Sequence, residues 1–373
     1  MAAFTPAGSG VVGIGLIGAG NISTQYLSNL TVFPDLKVLF VADLDLARAE
    51  AQALAFDVPS FGTVDELLAR DDIEIVVNLT IPAVHAEVGR RIIAAGKHVW
   101  SEKPLALDHE SGRELLDSAE AAGLRVACAP DTVLGAGIQS ALRAIARGDI
   151  GEPLTATTIF RVAGPNSWHP DPEFLFAKGA GPLFDMGPYY VTTLVHAFGA
   201  ASRVSAVSSK SHDVRTIGSG PRAGTEFAVE VPTYHAALIS FAGGQSAQST
   251  FSFQDAHKRA GLVEISGTEG SLVLPDPNNF DGDTTLWRFG SEEPTVLPAI
   301  GSTYGRGSGV LDLARSIRGG SEERASGAIA LHVLDVLLAI SESAETGASV
   351  ALESTVERPA PLPESWDPAA PTL

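Results

Sequence analysis

From Val11 the chain runs through eight uncharged residues, VVGIGLIG, stops on a glycine, and turns at once into a helical pattern, NISTQYLSNL. A short apolar run that ends so abruptly suits a strand buried on both faces of a parallel sheet. In the helical pattern Ile22, Tyr26, Leu27 and Leu30 share one face. The unit then recurs: LKVLFVAD before LDLARAEAQALAF, IEIVVNLT before HAEVGRRIIAAG, KHVWSE before HESGRELLDSAEAAG, and finally LRVACAPD. Parallel strands need a crossover between them, and a helix is the usual one. Strand–helix alternation over about 130 residues therefore predicts an α/β fold with a doubly wound parallel sheet.

Past residue 130 the period changes. PLTATTIFRVA, SRVSAVSSKSH, YHAALISFAGGQSAQSTFSFQ and GLVEISGTEGSLVLP read as strands, with Gly243-Gly244 and GTEG as hairpin turns. The expectation is a second α/β domain over 131–355, with a large, mainly antiparallel sheet and helices on one face. AIALHVLDVLLAI is apolar nearly all round and predicts a buried helix, about 326–345, packing back on the fold. The proline-rich tail, 356–373, is expected to be extended or a loose arm.

A chain of 373 residues, nearly half of them apolar, can fill two cores. Its 25 basic against 44 acidic side chains give a net charge of −19, which repels nucleic acid and anionic membrane. The sequence shows no apolar run of bilayer length, and MAAFTPAGSG lacks the pattern of a signal peptide. The single cysteine, Cys128, excludes an intrachain disulfide framework. These features together predict a cytoplasmic, soluble protein. No H-E-x-x-H or cysteine cluster suggests a metal, and none is expected.

Three stretches carry chemistry. In GLIGAGNIS, Gly18 and Gly20 occupy the first two glycine positions of G-x-G-x-x-G, and Ser23 the third. Such a turn lets backbone approach a pyrophosphate, and the helix after it presents N–H groups to the anion. A glycine turn can also be purely structural, but this one lies between a strand and a helix at the start of a βαβ unit. Asp43 ends the second strand, where an acid binds ribose hydroxyls and opposes a 2′-phosphate. Leu44 follows it, not an arginine, which favours NAD over NADP; the structural alternative is a cap on the next helix. Glu102, Lys103 and Pro104 leave the carboxyl end of another strand, where ligands bind in such sheets.

Together with NLTIPAVH and GAGPLFDMGPYY, these motifs stand in the order and spacing of the Gfo/Idh/MocA family (glucose–fructose oxidoreductase/inositol dehydrogenase-like), which the chain resembles from about Val11 to about Leu352. The resemblance implies an N-terminal Rossmann domain, a C-terminal α/β domain, and a nicotinamide cofactor between them. The implied cofactor-binding residues are Gly18, Gly20, Asn21, Ile22, Asp43, Thr80, Pro82, His85, Glu102 and Lys103. Lys103 corresponds to the lysine that hydrogen-bonds the reacting hydroxyl, often beside a cis Lys–Pro bond, and Asp185 to the motif aspartate. His85 lies near the nicotinamide in relatives, or caps the helix it begins.

Many relatives read D-x-G-x-H, with the histidine as acid/base; this chain reads Asp185-Met186-Gly187-Pro188-Tyr189. Tyrosine starts from a reference pKa near ~10, against ~6.5 for histidine, so it needs a nearby cation to act as a base. Lys103 is the candidate cation; otherwise Tyr189 only lines the pocket. Asp185 is expected to begin a helix as well as to serve the site. Trp168 and His169, in NSWHPDPEF, are candidate sugar contacts, while His196 and His332 read as core histidines.

The expected activity is NAD-dependent oxidation of a secondary hydroxyl of a sugar, sugar derivative or polyol, or reduction of the keto sugar. The hydride goes to nicotinamide C4, and Lys103 with Tyr189 or Asp185 handles the proton. Two alternatives stay open: a glycoside hydrolase or eliminase that retains its NAD, and a non-enzymatic NAD or sugar sensor. The resemblance also implies pairing of copies through the open face of the second sheet, with the alternating strands around residues 234–254 as the candidate surface, in a homodimer or homotetramer.

Overall fold

The computed structural model describes residues 7–373; the first six residues of the N-terminal segment lie outside the described residues. The chain forms two compact units, one of 1–136, 300–331 and 362–373, the other of 137–299 and 332–361.

The first unit holds a six-stranded sheet of β1 (Val12–Ile17), β2 (Leu36–Ala42), β3 (Phe61–Gly62), β4 (Ile75–Asn78), β5 (His98–Ser101) and β6 (Val126–Cys128). Their order is β3-β2-β1-β4-β5-β6, with every pairing parallel. Helices α1 (Asn21–Leu30), α2 (Leu46–Ala55), α3 (Val64–Leu68), α4 (His85–Ala94) and α5 (His109–Ala121) connect them. All six residues of β1 are buried, the state its uncharged run predicts. The register sets Ile17 beside both Ala42 and Asn78, and Ser101 beside Asn78. The carboxyl ends of β1, β2, β4 and β5 therefore finish level, and the loops after them crowd one edge. The sequence reading did not include β3 or α3. Their signal was present: Thr63 and Glu66 form a reciprocal capping box at the start of α3.

The second unit starts with α6 (Ala136–Ala146) and β7 (Pro153–Arg161), then the long buried helix α7 (Gly181–Phe198). After it come β8 (Ala201–Ser209), β9 (Val214–Thr216), β10 (Glu226–Ala228), β11 (Tyr234–Phe241), β12 (Ser246–Ser252), β13 (Arg259–Gly267), β14 (Gly270–Leu274), β15 (Thr284–Arg288) and β16 (Thr295–Leu297). With β17 (Val350–Ala351) they make a nine-stranded sheet in the order β16-β15-β14-β13-β7-β12-β11-β8-β17, while β9 and β10 pair separately. Only β7 and β12 run parallel, and the crossover between them carries α7. The ring of Tyr190 on α7 meets Phe160 and Phe251 of the sheet, and Phe198 meets Phe241. On alternate positions Val207 and Leu238 face outward and are exposed.

The chain returns to the first unit with α8 (Ser308–Gly319), packed so closely on the buried indole of Trp100 that a Cβ at Gly309 would lie 2.0 Å from it. Helix α9 (Gly327–Thr346) is the one described helix long and apolar enough to cross a membrane, a property not expected from the sequence. In the second unit its Val336, Leu337 and Ile340 are fully buried, so its apolar character serves a core. The tail is not a loose arm. Leu362 is buried, Arg315 stacks over the Trp366 ring, and Thr372 and Leu373 donate their backbone N–H groups to Asp35. Burial alone would raise the Asp35 carboxyl, but hydrogen bonds from Thr372, Arg315 and Leu373 hold it below the usual carboxylate range.

Candidate active site

The glycine turn is built for close backbone approach. Gly18 has φ +103°, and a Cβ there would lie 2.6 Å from the Leu79 carbonyl oxygen. Both facts require glycine: the dihedral is strained for an L side chain, and the space is filled by β4's continuation. At Gly20 a Cβ would meet nothing, so that side of the turn is open. Gly20 also precedes α1 with no side-chain cap, and the first turn of α1 holds no acid. An uncapped, acid-free helix start favours an anion. Ser23 is buried, and its hydroxyl donates to the Gly20 carbonyl at 2.6 Å, which braces the turn from beneath.

Asp43 is part of the same turn. Its Oδ2 accepts from the Ala19 N–H at 2.6 Å and its Oδ1 from the Asp45 N–H at 2.8 Å. It does not cap α2, because Asp45 does, accepting from Ala47 and Arg48. The carboxylate therefore joins the end of β2 to the glycine turn. Each oxygen keeps a lone pair for a ribose hydroxyl. This donor and acceptor set fits an adenosine diphosphate, whose pyrophosphate the Gly20–Asn21–Ile22 backbone would hold and from whose ribose hydroxyls Asp43 would accept.

Glu102 and Lys103 follow β5, and the Lys103–Pro104 bond is cis. Glu102 Oε1 accepts from the Tyr26 hydroxyl at 2.8 Å, and that hydroxyl accepts from the Trp100 indole N–H at 3.1 Å. The other oxygen accepts from the Lys103 backbone N–H at 3.1 Å. This chain of bonds anchors the lysine's loop to α1. Burial pushes the Tyr26 phenol well above its ordinary value, and the negative charges of Glu102 and Asp131 push the same way. Tyr26 is therefore a donor and not a phenolate base. Burial likewise raises the Cys128 thiol, so it is not a nucleophile. Asp131 is wholly buried and accepts from the Gly307 and Gly309 N–H groups at 2.8 and 3.2 Å, which caps α8. Tyr26, Trp100 and Asp131 were missed as supports of this region, since nothing local marks them.

His85 begins α4 but does not cap it. Its ring is buried between two carbonyls, with Nδ1 2.7 Å from Pro104 O and Nε2 2.9 Å from Thr80 O. His85 thus ties the Lys103–Pro104 loop to the loop after β4, where Pro82 opens a short exposed turn. The Thr80 hydroxyl donates to Asn78 Oδ1 at 2.6 Å. So Gly18, Gly20, Asp43, Thr80, His85, Glu102 and Lys103 share one edge of the first unit.

Asp185, Tyr189, Trp168 and His169 belong to the second unit. Helix α7 begins at Gly181, where φ is +82°, so Asp185 lies in its second turn and does not begin the helix. The Gly181-Pro182 start accounts for this, because proline suits the first helical positions. Tyr189 follows Asp185 by four residues and shares its face. Tyr189 is largely buried, and Thr193 donates to its carbonyl at 2.9 Å. Trp168 is 66% exposed. The Nδ1 of His169 accepts the Asp171 N–H at 3.0 Å, which leaves Nε2 to carry the proton of the neutral ring. In that state His169 is a donor. His332 is a core histidine, accepting from Ala201 N–H at 2.9 Å. Among the described residues, no three or more His, Cys, Asp and Glu side chains are grouped to hold a metal.

The chain is similar to known oxidoreductases. The oxidoreductase family with an NAD-binding Rossmann fold, GFO/IDH/MocA, matches residues 12–129, and its C-terminal domain matches residues 138–273. An uncharacterised oxidoreductase of Rhizobium meliloti is 30% identical over 90% of this chain and 98% of its own length. The trans-1,2-dihydrobenzene-1,2-diol dehydrogenase of Bos taurus is 26% identical over 70% of this chain and 74% of its own. The crystal structure of an NAD-binding oxidoreductase from Klebsiella pneumoniae superposes with a TM-score of 0.81 at 25% identity, covering 94% of this chain and all of that one. The chain belongs to the Gfo/Idh/MocA family of oxidoreductases, with an NAD(P)-binding Rossmann domain.

Proposed function

We infer that the protein is an NAD-dependent dehydrogenase that oxidises a secondary hydroxyl of a sugar, sugar derivative or polyol, or reduces the matching ketone. The observation that carries the cofactor reading is the glycine turn locked to Asp43, with the uncapped start of α1 beside it. The Asp43 carboxylate supports NAD, because it would repel a 2′-phosphate. The bovine relative, a dehydrogenase of a cyclic diol, supports a substrate with ring hydroxyls.

Bound NAD supplies the hydride acceptor, and the side chains do the rest. Lys103 donates a hydrogen bond to the reacting hydroxyl and favours loss of its proton. Its loop is held for this by Glu102, through Tyr26 and Trp100. Tyr189, as the phenolate that the Lys103 cation would favour, takes the proton and becomes the phenol, or the Asp185 carboxylate one turn before it does so. Outward-facing residues such as Val207 and Leu238 on β8 and β11 support pairing of two copies through the open sheet face.

The test is absorbance at the NADH band with NAD or NADP and a panel of sugars, glycosides and inositols, with products analysed. Net NADH on one compound, lost in Lys103→Ala while NAD affinity stays near normal, is the expected result. Conversion without net NADH would replace the dehydrogenase with a retained-cofactor lyase or hydrolase. Undiminished turnover in Lys103→Ala would overturn the site.

A further inference from the structure

We propose that Trp168, His169 and Phe174 form a stacking platform for the apolar face of a neutral ring, with His169 Nε2–H donating to a ring hydroxyl and Arg222 holding the platform in place. This rests on the dehydrogenase reading only in identifying that ring with the substrate.

The three rings stand in a row. The His169 imidazole lies edge-on to both neighbours, 5.5 Å from Trp168 at 65° and 5.4 Å from Phe174 at 72°. The outer two rings are 66% and 59% exposed. Large aromatic rings left in water forgo roughly 25 cal/mol for each Å² not buried, so such an arrangement persists in a fold when something covers it.

The row is nonetheless held at several points. The His169 N–H donates to Pro165 O at 2.8 Å, and the Asp171 N–H fixes the imidazole. Arg222 bonds Asp171 at 3.1 Å and also bonds Glu173, so one guanidinium spans the segment between His169 and Phe174. Gly218 N–H donates to Asn166 O at 2.7 Å, and Gly220 leaves room for Pro170. Immediately after Phe174, Leu175 and Phe176 join a separate small core with Ile217, Phe227, Val229 and Phe253. The turn Glu173–Leu175 is in contact with α7, the helix that carries Asp185 and Tyr189.

The chemistry selects the ligand. A cyclic polyol presents a C–H face, which stacks on rings, and hydroxyls at its edge, which take an N–H. Asp171 and Glu173 flank the row and share the one guanidinium of Arg222, so the three side chains leave one net negative charge beside it, and the chain as a whole carries −19. A phosphorylated sugar or a uronic acid would meet this negative field, so the ring is neutral.

The test reads binding without turnover. Saturation-transfer NMR and intrinsic fluorescence would follow myo-inositol and methyl β-D-glucopyranoside, with glucuronate as the charged control, on the full chain. The expected result is transfer to the ring C–H protons of both neutral probes and none to glucuronate. Trp168→Ala and Phe174→Ala should each weaken binding about three- to tenfold, the loss of one ring contact. Both residues are exposed, so their removal spares the small core. Arg222→Ala, which touches no probe, should weaken binding as much, and Arg222→Lys should restore part of it. His169→Gln, which keeps a donor, should bind better than His169→Ala. Equal binding by Trp168→Ala, or glucuronate bound as well as the neutral probes, would overturn the platform. If a dehydrogenase substrate is found whose KM is unchanged in Trp168→Ala, the platform fails and the activity stands. If no compound yields NADH while the platform variants lose probe binding, the activity fails and the platform stands.

Discussion

Replacing Tyr26 by phenylalanine removes one oxygen and leaves the ring volume unchanged. That oxygen makes two bonds in the structure, donating to Glu102 at 2.8 Å and accepting from the Trp100 indole at 3.1 Å. Trp100 has no solvent exposure, so its N–H loses this acceptor in a place water does not reach. A buried donor left without an acceptor costs about 1–3 kcal/mol, and a hydrogen bond to a charged group contributes about 1.5–3 kcal/mol. Glu102 is only half-buried and regains water, which offsets part of the second term. The expected loss is about 3 kcal/mol from the unfolding free energy of the first unit. Urea unfolding followed by tryptophan fluorescence measures it. The charge-assisted part is isolated by repeating the substitution in a Glu102→Gln background, where the penalty should fall by about 1 kcal/mol. A penalty below about 0.5 kcal/mol in the wild-type background would refute the claim that this hydroxyl anchors the loop of Lys103.

Burial pushes His98 and His235 down to about 4. The unfolded chain takes up their protons near pH ~6.5 and the folded chain only near pH 4, so stability falls as pH drops through that window, by up to about 3 kcal/mol per group. Urea midpoints at pH 7, 5.5 and 4.5 should decline accordingly, and His235→Leu should flatten the decline; a level series would refute it. Asp43→Asn should weaken NAD binding about tenfold and narrow the preference over NADP, read by calorimetry; an unchanged ratio would remove Asp43 from cofactor selection. Tyr189→Phe should shift or abolish the low-pH limb of the pH–rate profile for hydroxyl oxidation, the limb set by the group that must be deprotonated to take the proton, and an unchanged limb would reduce Tyr189 to a lining residue.

Much of the architecture was open to reading because it depends on neighbours along the chain. A strand buried on both faces must be apolar throughout, so VVGIGLIG announced β1, and the hairpins at Gly243-Gly244 and GTEG announced β11 to β14. The pairing of Asp185 with Tyr189 on one face is also local, because four residues make about one helical turn. The start of α7 was misplaced at Asp185, since the glycine–proline step at Gly181-Pro182 and the later Pro188 both qualify as helix punctuation.

By itself, then, the sequence determined the strand–helix alternation, the glycine turn and the positions of the acids and the lysine. Period and φ preference are properties of adjacent residues, and they survive without a fold. The tertiary structure alone decided which partners those groups keep. Glu102 meets Tyr26 across 76 positions, Asp43 meets the Ala19 N–H across 24, and Thr372 meets Asp35 across 337. His85 finds its two carbonyls on two separate loops. Hydrogen bonds form only within about 3 Å, and distant segments reach that distance only after both cores have packed.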